Sequence, residues 1–189
     1  MDRIVLASAS PRRAELLEAA GIDFDVVPAD VDESAHAGES PEAYVRRVAE
    51  AKACAIARRV RSRIILAADT TVVVNGAMLA KPDDDEDAKR MLRLLSGRVH
   101  EVLTAVALHR GSAPQVAISR TTVEFATLSE EEIAWYVSTG EPRDKAGAYA
   151  IQGYASRFVT RIAGSYSNVV GLPIALVYEM LEAPGPTTP

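Results

Sequence analysis

The chain is poor in cysteine, histidine, aromatic residues and lysine, and the first two scarcities each exclude something. Its one cysteine, Cys54, cannot pair within the chain. No internal disulfide framework supports the fold, and a reducing compartment is expected, an intermolecular disulfide being the other use of a lone thiol. Only His36, His100 and His109 are present, so a mechanism centred on imidazole has little material; the last two fall in an expected strand, where a satisfied or surface histidine is the ordinary case. The longest apolar run, Ile64 to Val74, contains Asp69 and falls short of the roughly 18 residues a membrane span needs. The opening Met1-Asp2-Arg3-Ile4-Val5-Leu6 lacks the basic region and long apolar stretch of a secretory signal, which makes the cytoplasm the expected location. Walker-type, dinucleotide-binding, paired-cysteine zinc and Gly-x-Ser-x-Gly signatures are missing.

What is present reads as an ordinary globular chain. A length of 189 residues with 48% hydrophobic and 25% charged content fits one domain, expected over residues 1–182, and is enough to bury a core without staples. The tail Ala183 to Pro189, Ala-Pro-Gly-Pro-Thr-Thr-Pro, cannot extend a helix and is expected to be flexible. A net charge of −5 argues against a protein that coats nucleic acid. Of the 21 basic residues, 17 are arginine and four are lysine, at 52, 81, 89 and 145.

Helices and strands interleave. A strand from Arg3 to Ser8 leads into Ser10-Pro11, a cap followed by a proline at the first helical position. Phe24 to Val27 reads as a second strand. Ser40-Pro41 repeats the helix start, for a helix to about Val60 whose apolar stripe, Val45, Val48, Ala49 and Ile56, is interrupted by Lys52. Ile64 to Val74 reads as a central strand with an Asn75-Gly76 hairpin into Ala77 to Ala80. A helix from Asp83 to Leu95, strands Val99 to Arg110 and Gln115 to Thr127, and a helix opened by the Ser129 to Glu132 capping box follow. A glycine-rich stretch from Gly140 to Gly171 precedes a last helix with Ile174, Val177, Tyr178 and Leu181 on its apolar face. The pattern implies a mixed sheet flanked by helices.

Several residues serve local structure poorly. Arg12 and Arg13 occupy a first helical turn, where the helix dipole disfavours cations; two guanidinium forks beside free N–H groups would seat a phosphate or a negatively edged base, unless both point into water. Asp69 lies inside an apolar strand, where an ionised carboxylate needs a cation or metal partner. Glu33 is an ordinary loop acid unless the fold brings it near Asp69, in which case the pair would hold a hard divalent cation. Lys81 is held extended by Pro82. The segment Asp144 to Gly153 gathers Asp144, Lys145, small residues and the buried-looking amide of Gln152; Gly147 and Gly153 permit close approach to a ligand, and an amide suits reading a base edge, unless the segment is simply a tight turn. Gly164 to Asn168 reads as a flexible polar loop. The acids 83–87 fit a helix start and are assigned to structure.

Jointly, Ser8-Ala9-Ser10-Pro11-Arg12-Arg13, Ala68-Asp69-Thr70, Lys81-Pro82, Asp144 to Tyr149 with Ile151-Gln152-Gly153, and Gly164-Ser165-Tyr166 with Val169 to Pro173 resemble the Maf family of nucleoside triphosphate pyrophosphatases, from residue 4 to about 182. The resemblance implies an α/β fold like that of the inosine triphosphate pyrophosphatase group, an elongated mixed β-sheet flanked by helices with a deep cleft between two lobes. It implies hydrolysis of a nucleoside triphosphate to the monophosphate and pyrophosphate. Asp69 matches the family's general base; Arg12, Thr70 and Gln152 match positions linked to substrate choice; Glu33, Lys52, Lys81 and Lys145 match other cleft positions. Ser8, Arg13 and Asp144 join the expected substrate-binding set. The Ile-Gln-Gly version at 151–153 resembles the subgroup acting on dTTP and UTP, including some modified uridine forms, whereas a subgroup preferring 7-methylguanosine triphosphate carries an acid near this position.

The chemistry of such a cleavage needs the triphosphate charge neutralised, a water aligned behind the α-phosphorus and the leaving pyrophosphate stabilised. Lys52, Lys81 and Lys145 would supply compact cations. Mg²⁺ or Mn²⁺ on Asp69 and Glu33 is the expected cofactor, with Asp69 acting as base or as metal anchor. A homodimer is expected. The resemblance leaves two competing readings, a nucleotide-binding regulator of septum formation and cell division with an unknown partner and a pyrophosphatase preferring 7-methyl-GTP; neither nucleic acid nor a membrane is an expected partner.

Overall fold

The computed structural model describes residues 3–60, 63–111 and 113–183; the expected tail beyond Ala183, and Ser112 in the expected 111–114 turn, lie outside them. Strand β1 (Ile4–Leu6) is wholly buried and leads to helix α1 (Pro11–Ala19), with Ser10 extended at the cap and Pro11 in the first turn. Strand β2 (Phe24–Val26) precedes helix α2 (Pro41–Ala57), where Ser40 Oγ accepts from Ala43 N. Helix α2 finishes three residues before the expected end, and Val60 closes a turn on Ile56 O.

Strand β3 (Ile65–Val74) follows, with strand β4 (Ala77–Leu79) across the hairpin; Asn75 and Gly76 both adopt positive φ, +51° and +78°, as a two-residue turn of this twist demands. Helix α3 (Asp85–Leu95) begins at Asp84, whose carboxylate accepts from Asp87 N. Strands β5 (Val99–His109) and β6 (Gln115–Phe125), helix α4 (Glu130–Ser138) with its Ser129/Glu132 capping box, strand β7 (Val159–Ala163), helix α5 (Tyr166–Val170) and helix α6 (Ile174–Glu182) complete the chain.

The seven strands run in the order β2-β1-β3-β5-β6-β7, with β4 added to β3. Pairings of β1 with β2 and β3 are parallel, whereas β3–β4 and β6–β7 are antiparallel. The sheet is therefore mixed, as the interleaved pattern implies. Among the described residues no helix is long and apolar enough to cross a membrane.

The chain forms two compact units. The first comprises the described residues of Met1–Asp69, Thr104–Ser119 and Gly171–Pro189. Its core packs Ile4, Leu6, Leu17, Leu66, Val106 and Leu108 against Leu172, Val177 and Leu181. On α6 the buried arc runs toward Leu176 and Met180, so Tyr178, expected on the apolar face, lies past its edge and is 54% exposed. Arg110 fastens the end of this helix, donating to Met180 O, Leu181 O and Ala183 O at 2.8, 2.6 and 2.8 Å.

The second unit comprises Thr70–Leu103 and Arg120–Val170. Its interior holds an aromatic group: Tyr136 meets Phe158 edge to face, and Phe125 meets both Tyr149 and His100. The stretch expected to be only glycine-rich contains two 3-10 turns (Ala146–Ala148 and Tyr154–Phe158), β7 and α5. The flexible loop expected at 164–168 is instead built in. Ser165 and Thr121 exchange two hydrogen bonds, and the fully buried Asn168 donates to Val102 O and Thr121 Oγ1. Buried polar contacts to neighbouring strands, rather than apolar periodicity, order this segment.

Candidate active site

In the first unit, α2 and β3 each contribute one buried charged residue. Lys52 occupies the expected apolar stripe of α2, and Asp69 the last position of β3 within this unit. The parallel register Val5↔Ile65 and Leu6↔Leu66 carries β1 and β3 outward together, so that Ser8 and Asp69 follow two and three residues beyond a paired position. Lys52 Nζ lies 2.8 Å from Asp69 Oδ1 and 2.8 Å from Glu33 Oε1. Asp69 thus has the partner its burial demands, and the fold does bring Glu33 to the same place.

Arg13 completes the cluster. It is buried; its Nε donates to Gly171 O at 2.9 Å and its Nη1 to Ser8 Oγ at 3.1 Å. Burial lowers its pKa, opposed by the charges of Asp69 and Glu33. Of the two arginines that start α1, Arg13 is thus tied to protein groups, and Arg12 is half-buried. Burial likewise pushes the Asp69 carboxyl above the usual carboxylate range, against the pull of Lys52 and Arg13.

Sequence reasoning missed Tyr44. Its hydroxyl donates to Glu33 O at 3.0 Å, and burial first, then the charges of Asp69 and Glu33, raise its pKa to about 12. The signal was available: Tyr44, Val48 and Lys52 recur at four-residue spacing on one helix face. Arg47 adds a second tether, donating to Ser34 O and to both oxygens of Glu39. The loop bearing Glu33 is thereby fixed to α2.

The cluster sets two carboxylates against two basic groups, so it is close to balanced. Asp69 Oδ2 is buried and has no hydrogen-bond partner among the described residues. An orphaned carboxylate oxygen beside a second carboxylate fits an oxygen-seeking divalent cation or the proton of a water. Among the described residues no group of three or more histidine, cysteine, aspartate or glutamate side chains gathers around a metal position; oxygens from a phosphate or water would have to complete the coordination.

The second unit holds the remaining expected residues. Thr70, half-buried, follows Asp69 on β3. Lys81 is exposed just after β4, and Gly147 N donates to Ala80 O at 3.1 Å, which sets the backbone before Lys81 beside the loop of Asp144 and Lys145. Lys145 Nζ donates to Glu141 O at 2.6 Å and Arg143 O at 3.3 Å. Asp144 is exposed, with φ +64°. Gln152, expected to be buried, is exposed, because its neighbour Ile151 takes the inward position. The glycines approach protein groups: a Cβ on Gly147 would stand 2.9 Å from Val72 Cγ2, and one on Gly153 would overlap the Glu141 carboxylate. Glu141 is the second residue sequence reasoning missed.

The architecture is a mixed α/β sheet protein with a charged cluster just past the parallel pairing of β1 and β3. The Staphylococcus aureus Ham1 protein has the same fold, with a TM-score of 0.56, 18% identity, and coverage of 96% of this chain and 98% of that one. The chain belongs to the Maf family, matching the family described as Maf-like protein over residues 3–184. It is 54% identical to a protein named dTTP/UTP pyrophosphatase from Anaeromyxobacter sp. (strain Fw109-5), over 99% of this chain and 92% of that protein. Proteins of the same name from Symbiobacterium thermophilum and Methylobacillus flagellatus are 52% and 50% identical, over 96% and 100% of this chain and 93% and 96% of theirs.

Proposed function

We propose that this chain hydrolyses dTTP and UTP to the nucleoside monophosphate and pyrophosphate, clearing surplus or non-standard pyrimidine nucleotides. The observation that carries the reading is the uncommitted oxygen of a buried, lysine-paired Asp69, in a chain about half identical, over nearly its whole length, to proteins named for that activity. A carboxylate shielded from water and raised in pKa is a stronger base than a solvated one.

In the proposed step, Asp69 Oδ2 accepts a proton from the water whose oxygen attacks the α-phosphorus. The bond from that phosphorus to the bridging oxygen breaks, and pyrophosphate leaves with the bonding electron pair. Lys52 holds Asp69 in place and keeps it ionised, while Tyr44 and Arg47 fix the loop of Glu33. Where Asp69 instead serves as metal anchor, its Oδ2 and Glu33 would hold Mg²⁺ or Mn²⁺, which would supply charge neutralisation and acidify water. Ser8, Arg12 and Arg13 bind the anionic substrate, Lys81 and Lys145 add compact positive charge, and Thr70, Asp144 and Gln152 contribute to substrate choice. A homodimer resident in the cytoplasm is part of the proposal, supported by the prevalence of two-fold assemblies and the single cysteine.

The test is a nucleotide panel with purified protein and Mg²⁺ or Mn²⁺, following pyrophosphate against orthophosphate. Pyrophosphate release from dTTP and UTP supports the reading; orthophosphate as the first product, or no turnover of either nucleotide, overturns it.

A further inference from the structure

Glu141 stands just past the end of α4, where Gly140 takes φ +74° and turns the chain back on the helix. Its carboxylate then accepts three hydrogen bonds from neutral donors: Tyr136 OH at 2.8 Å, Tyr154 N at 2.9 Å and Ala155 N at 3.3 Å. Its backbone oxygen accepts from Lys145 Nζ at 2.6 Å. Tyr136 OH in turn accepts from Ala150 N at 3.1 Å. One acid therefore joins the end of α4, the 3-10 turn from Tyr154, the segment leading to Ile151 and the Lys145 ammonium.

Gln152 sits between two fixed neighbours in this arrangement. Ile151 is buried on one side, and on the other Gly153 lies so close to the Glu141 carboxylate that a Cβ there would overlap it. The backbone on both sides of Gln152 is set by burial and by Glu141, while its side chain points outward. Uracil and thymine offer an N3–H donor beside an O4 acceptor, whereas cytosine offers an N4 donor beside an N3 acceptor. An amide separates these edges only when it reaches the base from a set place, and the backbone place of Gln152 is what Glu141 fixes.

We infer that Glu141 is a positioning residue for base discrimination, fixing the backbone from which Gln152 reaches out through the turn at Gly153 while its backbone oxygen seats Lys145. The inference rests on the reading above in which Gln152 meets the base. Its test is the ratio of kcat/KM for UTP to kcat/KM for CTP in the wild type, Gln152→Ala, Glu141→Ala, Gly153→Ala and the double variant Glu141→Ala/Gly153→Ala. A ratio from one preparation cancels the fraction of enzyme that is folded, so a purely structural loss leaves it unchanged.

At least a tenfold fall in the ratio is expected for Gln152→Ala, Glu141→Ala and Gly153→Ala. The double variant should fall no further than Glu141→Ala, since the carboxylate that a Cβ at 153 would strike is gone. A reduced ratio in Gln152→Ala with a wild-type ratio in Glu141→Ala overturns the role of Glu141 and leaves base reading by Gln152 standing. An unchanged ratio in Gln152→Ala overturns that base reading and the inference with it. Wild-type protein that turns over neither nucleotide removes the pyrophosphatase reading itself.

Discussion

Lys52 Nζ and Asp69 Oδ1 are 2.8 Å apart, with both side chains more than nine-tenths buried. The lysine comes from a helix and the aspartate from a strand, and each interrupts an otherwise apolar surface. Two such interruptions that meet are worth more as a pair than apart, because each removes the other's uncompensated charge.

Lys52→Met, which keeps the length of the side chain and removes the charge, is expected to lower stability by about 3–5 kcal/mol, the usual cost of leaving one buried ion alone. Asp69→Asn in the same chain should recover a large part of that loss. Urea denaturation of the two single variants and the double variant measures the coupling. Additive losses would mean that packing, and not the charge pair, sets the cost.

Asp69→Asn keeps the shape of the side chain and removes the proton acceptor. Turnover of dTTP and UTP is expected to fall by at least about a hundredfold, as losing a general base does. Nucleotide binding followed by calorimetry should persist. Turnover near the wild-type rate would place the base elsewhere.

Much of this first unit was legible in sequence because its signals are local. The caps at Ser10 and Ser40, the four-residue spacing on α2 and the apolar run of β3 each state an element within a short window. Asp69 announced a missing partner, but Lys52 lies 17 residues away and the pairing depends on helix-to-sheet packing. Glu33 carried no signal, since it sits in an irregular loop whose course is set by Tyr44 and Arg47. The segment from 140 to 171 was illegible for a different reason. Its order comes from side chains bonded to backbone groups, at Glu141, Thr121 and Asn168, and such contacts leave no hydrophobic period.

His100 gives a pH signature in the second unit. Its Nε2 pairs with Tyr149 OH at 2.8 Å, its ring meets Phe125 and Tyr149 edge to face, and burial lowers its pKa from 6.5 to about 4. The unfolded chain therefore takes up a proton before the folded one as pH falls below 6.5. This contribution is complete above that value and is lost progressively down to about pH 4, by about 3 kcal/mol. Unfolding free energies from pH 4 to 7 should show this slope, and His100→Gln should flatten it.

Arg110 draws together three carbonyl groups at the end of α6. Arg110→Ala should cost about 1–3 kcal/mol by leaving part of that end unsatisfied. Arg110→Lys should recover little, because one ammonium cannot reproduce a planar fork across three acceptors. Chemical denaturation reads the loss of stability, and faster proteolysis after α6 in both variants would locate it.

Gly147 tests the close approach in the loop of Lys145. Its φ of +71° is strained for any residue with a Cβ, and that Cβ would stand 2.9 Å from Val72 Cγ2, inside ordinary contact. Gly147→Ala meets both penalties, and a loss of about 1–3 kcal/mol is expected. Val72→Ala in the same chain removes the methyl contact but leaves the backbone strain, so it should relieve only part of the loss after its own cavity cost is subtracted. Denaturation of the four proteins in this cycle separates the two contributions. Complete relief by Val72→Ala would mean that contact alone demands glycine here, and no relief would mean that the backbone conformation alone does.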